Sequence, residues 1–340
     1  MTSDLAKRLW RIDEKELSSF LDKNISDGGT RNIRFYAPSF MYYKTSYYCS
    51  TPNDFPTISV TGKGCQLRCK HCGGIVLNTM YPATTPDALY ERCVKLKERG
   101  ALGCLISGGC LPNGSVPLEG FADIIGRIKR ELGLTIFVHT GVIDFPLALA
   151  LKEAGVDAAL LDILGSNETI RDVYRLNVKV KDYENSLRAL HQAGIPFVPH
   201  VIVGLHYGRL KGEFRALQMI SKYKPAALVV IAFMPIRGTE MECVKPPKPI
   251  DIARVVACGR AMFTQTPLVL GCMRPRDKDR SQTEILAIKA GVEAIAFPTE
   301  EAVKFAESRG YGTSFSSLCC SQIYMDMRTR TIPYRQQLWS

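Results

Sequence analysis

No apolar run in the sequence approaches the roughly 18 residues needed to cross a bilayer. The first residues, with Asp4, Asp13 and Glu14 among the basic ones, lack a signal peptide's apolar core. No membrane association is expected, and the expected location is the cytoplasm. A long block of like charge is also missing: the net charge is +11, but Lys and Arg alternate with Asp and Glu along most of the chain. That pattern describes a basic, solvated surface, and nucleic acid is not the expected partner. An acidic protein, or an RNA engaged by residues such as Arg328 and Arg330, are the alternatives. There is no low-complexity linker and no repeat longer than a strand–helix unit, which favours one catalytic domain. Twelve cysteines without an export signal exclude a disulfide framework as the first reading and point to thiol or metal chemistry.

What is present is a short loop, Cys65-Gln66-Leu67-Arg68-Cys69-Lys70-His71-Cys72, soon after the strand-like run Thr57 to Thr61. Thiolates spaced CxxxCxxC can converge on one inorganic centre, and no fourth local ligand follows. An iron-sulfur cluster held by three cysteines leaves one iron open to a ligand that is not protein. A structural zinc site closes its tetrahedron with a fourth Cys or His, and His71 is too near its neighbours in sequence to serve easily. The spacing favours the open cluster over zinc.

Around this loop the chain divides into an N-terminal extension (1–50), a main body (51–310) and a C-terminal tail (311–340). The extension holds a charged amphipathic segment from Leu5 to Leu21, a polar turn from Asn24 to Thr30, and an aromatic stretch from Phe35 to Tyr48 that should pack on the body. In the body, short β-branched runs alternate with helical periodicity, the signature of a parallel sheet with crossover helices. Strands are expected at Thr57–Thr61, Gly103–Ser107, Thr135–His139, Ala158–Ile163, Phe197–Val203, Leu228–Ala232, Leu268–Leu270 and Ala294–Ala296. Helices are expected at Pro86–Arg99, Leu118–Leu132, Phe145–Ala154, Tyr183–Ala193, Glu213–Lys222, Pro249–Phe263 and Gln282–Ala290. Eight such units fit a TIM-type (β/α)8 barrel, although an open doubly wound sheet would alternate in the same way.

The cysteine loop, read with Ser107-Gly108-Gly109 at the end of the second strand, resembles the radical S-adenosylmethionine (SAM) superfamily. The resemblance implies a [4Fe-4S] cluster on Cys65, Cys69 and Cys72, with SAM on the open iron and reductive cleavage to a 5′-deoxyadenosyl radical. It places His71 where an aromatic residue usually packs on the adenine. Ser107, Gly108 and Gly109 then stand at the methionine amine, with Cys110 replacing the usual Glu. The later strands are similar to biotin synthase. By that likeness Asp162 lies near the SAM ribose and substrate, Lys181 pairs with the SAM carboxylate, Ile202-Val203-Gly204-Leu205 lies beside the adenine, and Phe233-Met234-Pro235-Ile236 meets its edge. Arg276 falls where biotin synthase keeps an Arg inside the barrel next to a second cluster.

Biotin synthase holds that second cluster with cysteines on strands that include the third and fifth, and the matching strands here have none. The whole-chain pattern, with Phe35-Tyr36-Ala37-Pro38, Ile58-Ser59-Val60-Thr61-Gly62 and a Cys-bearing tail, resembles the biotin-synthase-related proteins of archaea. Two of these act together as a split lipoyl synthase. The resemblance implies sulfur insertion into an octanoyl chain on a lipoyl-carrier protein, a second lipoyl synthase half as partner, and a ferredoxin-like electron donor. A sacrificial auxiliary [4Fe-4S] cluster would supply the sulfur, with Cys272, Cys319, Cys320 and Cys49 as candidate ligands and Cys110 in reserve. The expected alternatives are sulfur insertion into a small molecule, radical SAM modification of RNA, and a non-catalytic zinc or redox module. No Asp-x-His-x-x-Gly cobalamin signature is present.

Overall fold

The computed structural model describes residues 2–23, 31–51 and 53–328; the Asn24–Thr30 turn, Arg330 and the rest of the tail from 329 lie outside them. Eleven strands form one sheet: β1 (Asn32–Tyr36), β2 (Thr57–Ser59), β3 (Tyr81–Pro82), β4 (Gly103–Ser107), β5 (Thr135–His139), β6 (Ala158–Asp162), β7 (Phe197–Val203), β8 (Leu228–Ala232), β9 (Leu268–Leu270), β10 (Ala294–Ala296) and β11 (Gly312–Ser316). Their order is β11-β1-β10-β9-β8-β7-β6-β5-β4-β2-β3, and every pairing is parallel. All the expected strands form, as β2 and β4–β10. The result is a TIM-type α/β barrel in partial form: β11 and β3, at the two ends, are not hydrogen-bonded to each other.

The strands beyond the expected eight come largely from outside the main body. In β1, Ile33 and Phe35 are buried in alternation, a strand signal hidden inside the aromatic run. β1 pairs with both β10 and β11, so the N-terminal extension and the tail each supply a strand. β11 reads Gly-Thr-Ser-Phe-Ser and lacks the β-branched run that marks the others.

Helices begin where a cap satisfies the free backbone amides. Thr85, Asp144 and Thr299 accept from Ala88, Leu147 and Ala302. They end at left-handed glycines such as Gly133 and Gly194, a conformation without penalty only for glycine. The amphipathic N-terminal segment is two helices, Thr2–Arg11 and Glu14–Lys23. Arg254, from helix Pro249–Met262, anchors the first by donating to the Leu9 and Ile12 carbonyls at 2.7 Å each, satisfying acceptors the helix end leaves free.

Two apolar cores result. The larger lies between the helices and the outer face of the sheet. The smaller fills the barrel interior, where Phe137, Ala158, Leu160, Val198, Val229 and Ala294 meet Leu318, Ile323 and Tyr324 of the tail. The tail crosses the N-terminal end of the barrel. Ser317 hydrogen-bonds Asp54, just before β2, and Tyr324 donates at 2.6 Å to the carbonyl of Asp157, just before β6. Among the described residues no helix is long and apolar enough to cross a membrane.

The segment after β9 corrects one expectation. Arg276 does not point into the barrel; it is exposed at the rim, against Met41 and the Phe297 ring. Arg274 takes the interior place at 1% exposure, donating to the Gly271 carbonyl at 2.6 Å, to Glu284 at 2.5 Å and to the Phe297 carbonyl at 3.1 Å. The other Glu284 oxygen accepts from the Thr299 amide and hydroxyl. Arg280 also donates to Glu284 at 3.1 Å, so removing Arg274 leaves this carboxylate one cationic partner and leaves the Gly271 carbonyl without its buried donor. Arg274→Ala is expected to cost ~3–5 kcal/mol in a urea titration, and Arg276→Ala less than about 0.5 kcal/mol.

Glu213 opens helix Glu213–Ile220 and accepts the Gly204 amide at 2.9 Å, holding the turn after β7. Burial pushes its carboxyl up to about 7. A folded-state value above the unfolded one means stability fully present below the unfolded value, near 4.5, and lost as pH rises through about 7. Glu213→Gln should remove that part of the pH profile and raise the thermal midpoint above pH 7; an unchanged slope would count against the assignment.

Candidate active site at the mouth of the barrel

Because β2 and β4 are paired neighbours, the loops that follow them meet at the same end of the barrel. The Thr61 hydroxyl joins them: it accepts the Gly109 amide at 2.7 Å and donates to the Gly64 carbonyl at 2.8 Å. The Gln66 amide adds a bond to the Cys110 carbonyl at 3.1 Å, and the Lys70 amide one to the Val173 carbonyl at 2.9 Å. A Cβ on Gly109 would overlap the Gly64 carbonyl and lie 2.6 Å from the Cys65 Cα. The glycine at this strand end thus lets the cysteine loop itself come close.

Cys65, Cys69 and Cys72 all line one cavity of about 400 Å³. The Gly73 amide closes a tight turn onto the Cys69 carbonyl at 2.7 Å. The Cys69 and Cys72 sulfurs hydrogen-bond: the bond to Cys72 and burial push the Cys69 thiol well up, whereas the same bond, with help from His71, brings Cys72 down to about 4. Among the described residues no carboxylate or lysine hydrogen-bonds the Cys69 and Cys72 sulfurs, and the set fits a metal that displaces their protons. His71 lines the same cavity, its ring centroid 5.0 Å from that of Tyr174, with Nδ1 buried and unpartnered among the described residues. A buried polar atom left open in this way suits an incoming ligand.

The remaining wall comes from strand ends around the barrel. Ser107, Gly108 and Gly109, then Asp162, Ile202 and Met234 line it, as the resemblance implies. Val203 does not: in β7 it alternates to the outer core, and its carbonyl accepts the Phe233 amide at 2.8 Å. Lys181 is exposed in the first turn of helix Val180–Ala193, and Tyr183, two residues on, faces the cavity instead. Phe40 of the N-terminal extension reaches the cavity and packs edge-on against Phe297.

Across the cavity stand Cys272, Cys319 and Cys320. Cys49 is absent from the lining and sits in an antiparallel bridge with Lys44. Burial pushes the Cys272 thiol up to about 11, and the cavity-lining Cys110 up to about 12. His139 and His200 were not anticipated. They project from β5 and β7 on either side of Asp162 on β6, and ligand atoms of the three lie within 4.8 Å of one another. Burial opposes the Asp162 charge, but His139, His200 and His71 bring its carboxyl down to about 2, while burial lowers His200 to about 4. The available signal was parity, since both histidines occupy strand positions, but inward and outward faces could not be assigned without the register.

Comparison with known proteins now bears on this geometry. The Radical SAM superfamily profile matches residues 59–208, the span carrying the cysteine loop, the glycine strand end and Asp162. A biotin synthase of Prochlorococcus marinus is 24% identical over 250 residues, covering 71% of this chain and 73% of that one. The chain carries a radical SAM domain and is similar to biotin synthases. Among solved structures, methylornithine synthase (PylB) superposes with a TM-score of 0.59 at 17% identity over 92% of this chain and 94% of that one. HydG, a maturase of the [FeFe]-hydrogenase, gives 0.63 at 15% identity over 97% of this chain and 77% of its own. These establish the shared fold. A [4Fe-4S] cluster and SAM follow from the family, and the cavity holds the residues to receive them.

Gly109→Ala forces the cysteine loop away from the β4 end, an overpacking expected to cost ~1–3 kcal/mol. The reduced-cluster electron paramagnetic resonance (EPR) signal that shifts on adding SAM should fall strongly in Gly109→Ala. It should fall less in Gly108→Ala, where the atoms nearest the added Cβ are side-chain atoms of Thr61 and Val60 at 3.1 and 3.2 Å rather than backbone.

Proposed function

We propose that this radical SAM enzyme inserts sulfur into an octanoyl chain carried on a lysine, as one component of a two-protein lipoyl synthase. The observation that carries the reading is the position of Cys272, Cys319 and Cys320: a strand end and the C-terminal tail deliver three thiols to the cavity that holds the SAM-cluster loop. A sulfur-inserting enzyme needs a sulfur source within reach of the substrate carbon, and thiolates on the opposite wall can hold a sacrificial iron-sulfur centre there. The likeness to biotin synthase supports sulfur chemistry and leaves the acceptor open.

With cluster and SAM bound, the chemistry supplied is one-electron cleavage of SAM to a 5′-deoxyadenosyl radical. The chain's own residues position and enclose. Cys65, Cys69 and Cys72 would hold the cluster, and the backbone of Ser107–Gly109, the Asp162 carboxylate, His71 and Met234, which line the same cavity, would bind the cosubstrate. Leu67, Ile202, Phe233, Ile236 and Phe40 form an apolar wall that accepts a hydrocarbon chain and excludes water from a radical. The basic surface suits an acidic carrier domain, since opposite charge speeds encounter. Arg328, considered for RNA, lies over the Tyr324 ring at 5.9 Å.

Anaerobic turnover with SAM, dithionite and an octanoyl-lysyl peptide, alone and with a partner half, tests the reading by mass spectrometry. One sulfur added to the peptide, with 5′-deoxyadenosine released, is expected. If 5′-deoxyadenosine forms while no sulfur reaches the peptide under either condition, the enzyme acts on a different substrate.

A further inference from the structure

The cavity holds two histidines that the proposed SAM chemistry does not use. They stand on β5 and β7, in the cavity that Cys272 and Cys319 also line. The His200 Nδ1 lies 3.1 Å from the Val198 carbonyl oxygen. A carbonyl only accepts, so Nδ1 carries the proton and the Nε2 lone pair is left free. His139 has the complementary arrangement: its Nε2 lies 3.7 Å from Oδ1 of Asp162, and the other Asp162 oxygen accepts from the Tyr174 hydroxyl at 3.2 Å. Its Nδ1 makes no hydrogen bond among the described residues. One nitrogen of each ring thus faces a protein acceptor that orients it, and the other is free, as in metal-ligating histidines, whose second nitrogen donates to a carbonyl or carboxylate.

The rings are also near neighbours. Their centroids lie 5.9 Å apart. Two imidazoles bonded to one metal at ~2.0–2.1 Å place their centroids about 4.5–5.2 Å apart, so ligation of a shared ion draws the two rings together by about 1 Å. One nitrogen of each ring and an Asp162 oxygen lie within 4.8 Å of one another, so the two imidazoles approach one locus. Thiols complete the set. Cys272, Cys319 and Cys320 all line the cavity; Cys272 and Cys319 are half-buried, while Cys320 is the most enclosed at 4% exposure, packed with Leu318 and Ile323.

We propose that His139 and His200 are nitrogen ligands of a second iron-sulfur centre whose thiolates come from Cys272 and Cys319, a two-Cys, two-His arrangement of the Rieske kind. Asp162 and Tyr174 act behind His139 as positioning residues. The inference rests on the reading that this cavity holds a second centre, and it puts the two histidines in place of Cys49 and Cys320 in the ligand set. Histidine ligation raises the reduction potential of such a centre well above an all-thiolate one. A centre that gives up sulfur to a carbon radical must also take up the electron left over, and histidine ligands favour that uptake.

The test uses the full chain with Cys65, Cys69 and Cys72 changed to Ala, which removes the SAM cluster and any coupling from His71 beside it. After anaerobic reconstitution, iron and sulfide are measured and the dithionite-reduced sample is examined by pulsed EPR. Two strongly coupled nitrogens that switch from 14N to 15N patterns when the protein carries [15N]histidine are expected; labelling needs no further substitution. His139→Ala and His200→Ala should each remove one coupling. Mössbauer spectra of the unreduced protein should show one iron site of each pair with the higher isomer shift of nitrogen ligation. Bound iron and sulfide with neither nitrogen coupling nor that second iron site would overturn the histidine assignment while leaving a second centre in place. Iron without sulfide would overturn it in favour of a mononuclear site on His139, Asp162 and His200. Absence of both iron and sulfide would overturn the second centre itself.

Discussion

One hydroxyl group sets the geometry on which the site depends. Thr61 Oγ1 bonds at once to the Gly109 amide and the Gly64 carbonyl, locking the cysteine loop to the end of the neighbouring strand. The lock works because β2 and β4 pair in parallel, with Ser59 opposite Ser107, so both loops leave the sheet at the same level. Only a glycine at 109 allows the approach. Cluster loop and SAM-facing backbone are therefore one unit, and a shift in either displaces both.

The incomplete barrel has a consequence for the tail. A closed ring would leave residues beyond β10 on the outside, whereas here β1 and β11 extend the sheet and the following segment turns under it. Tyr324 bonds to Asp157, and the Tyr36 hydroxyl to Asp326 at 2.6 Å, fixing the tail against the barrel's N-terminal end. Leu318, Ile323 and Tyr324 fill the interior that side chains of a closed barrel would fill. Cys319 and Cys320 are carried inward by this plug, so their position in the cavity is a product of core packing as well as of chemistry.

Much of this was legible in the sequence. The β-branched runs locate eight strands to within two residues, and the CxxxCxxC spacing locates the cluster, because both signals are local. What failed was whatever depended on rotation or register. Lys181 and Tyr183 lie two apart on a helix, and only one can face the cavity. Ile202 and Val203 alternate sides of β7 in the same way. Arg274 and Arg276 share one short segment, and the choice between them is made by Glu284, ten residues beyond Arg274. Cys49 looked available by its place before β2, but its local bridge to Lys44 keeps it off the cavity wall. His139 and His200 become neighbours only when β5, β6 and β7 pair, with Asp162 opposite His200.

The distribution of polarity inside the cavity argues for two reactive centres facing one substrate space. Most of the wall is aliphatic or aromatic, and an apolar wall offers few groups to divert a radical or stabilise water. Polar and sulfur-bearing side chains fall into groups: the cysteine loop with His71 against Tyr174, the His139, Asp162 and His200 cluster, and the thiols of Cys272, Cys319 and Cys320. Burying imidazoles and thiols in an apolar interior carries a desolvation cost that folding alone would avoid by placing aliphatic side chains there. The tail plug and the oriented imidazole nitrogens maintain this arrangement, and a ligand that binds sulfur and nitrogen together accounts for both sets of groups at once.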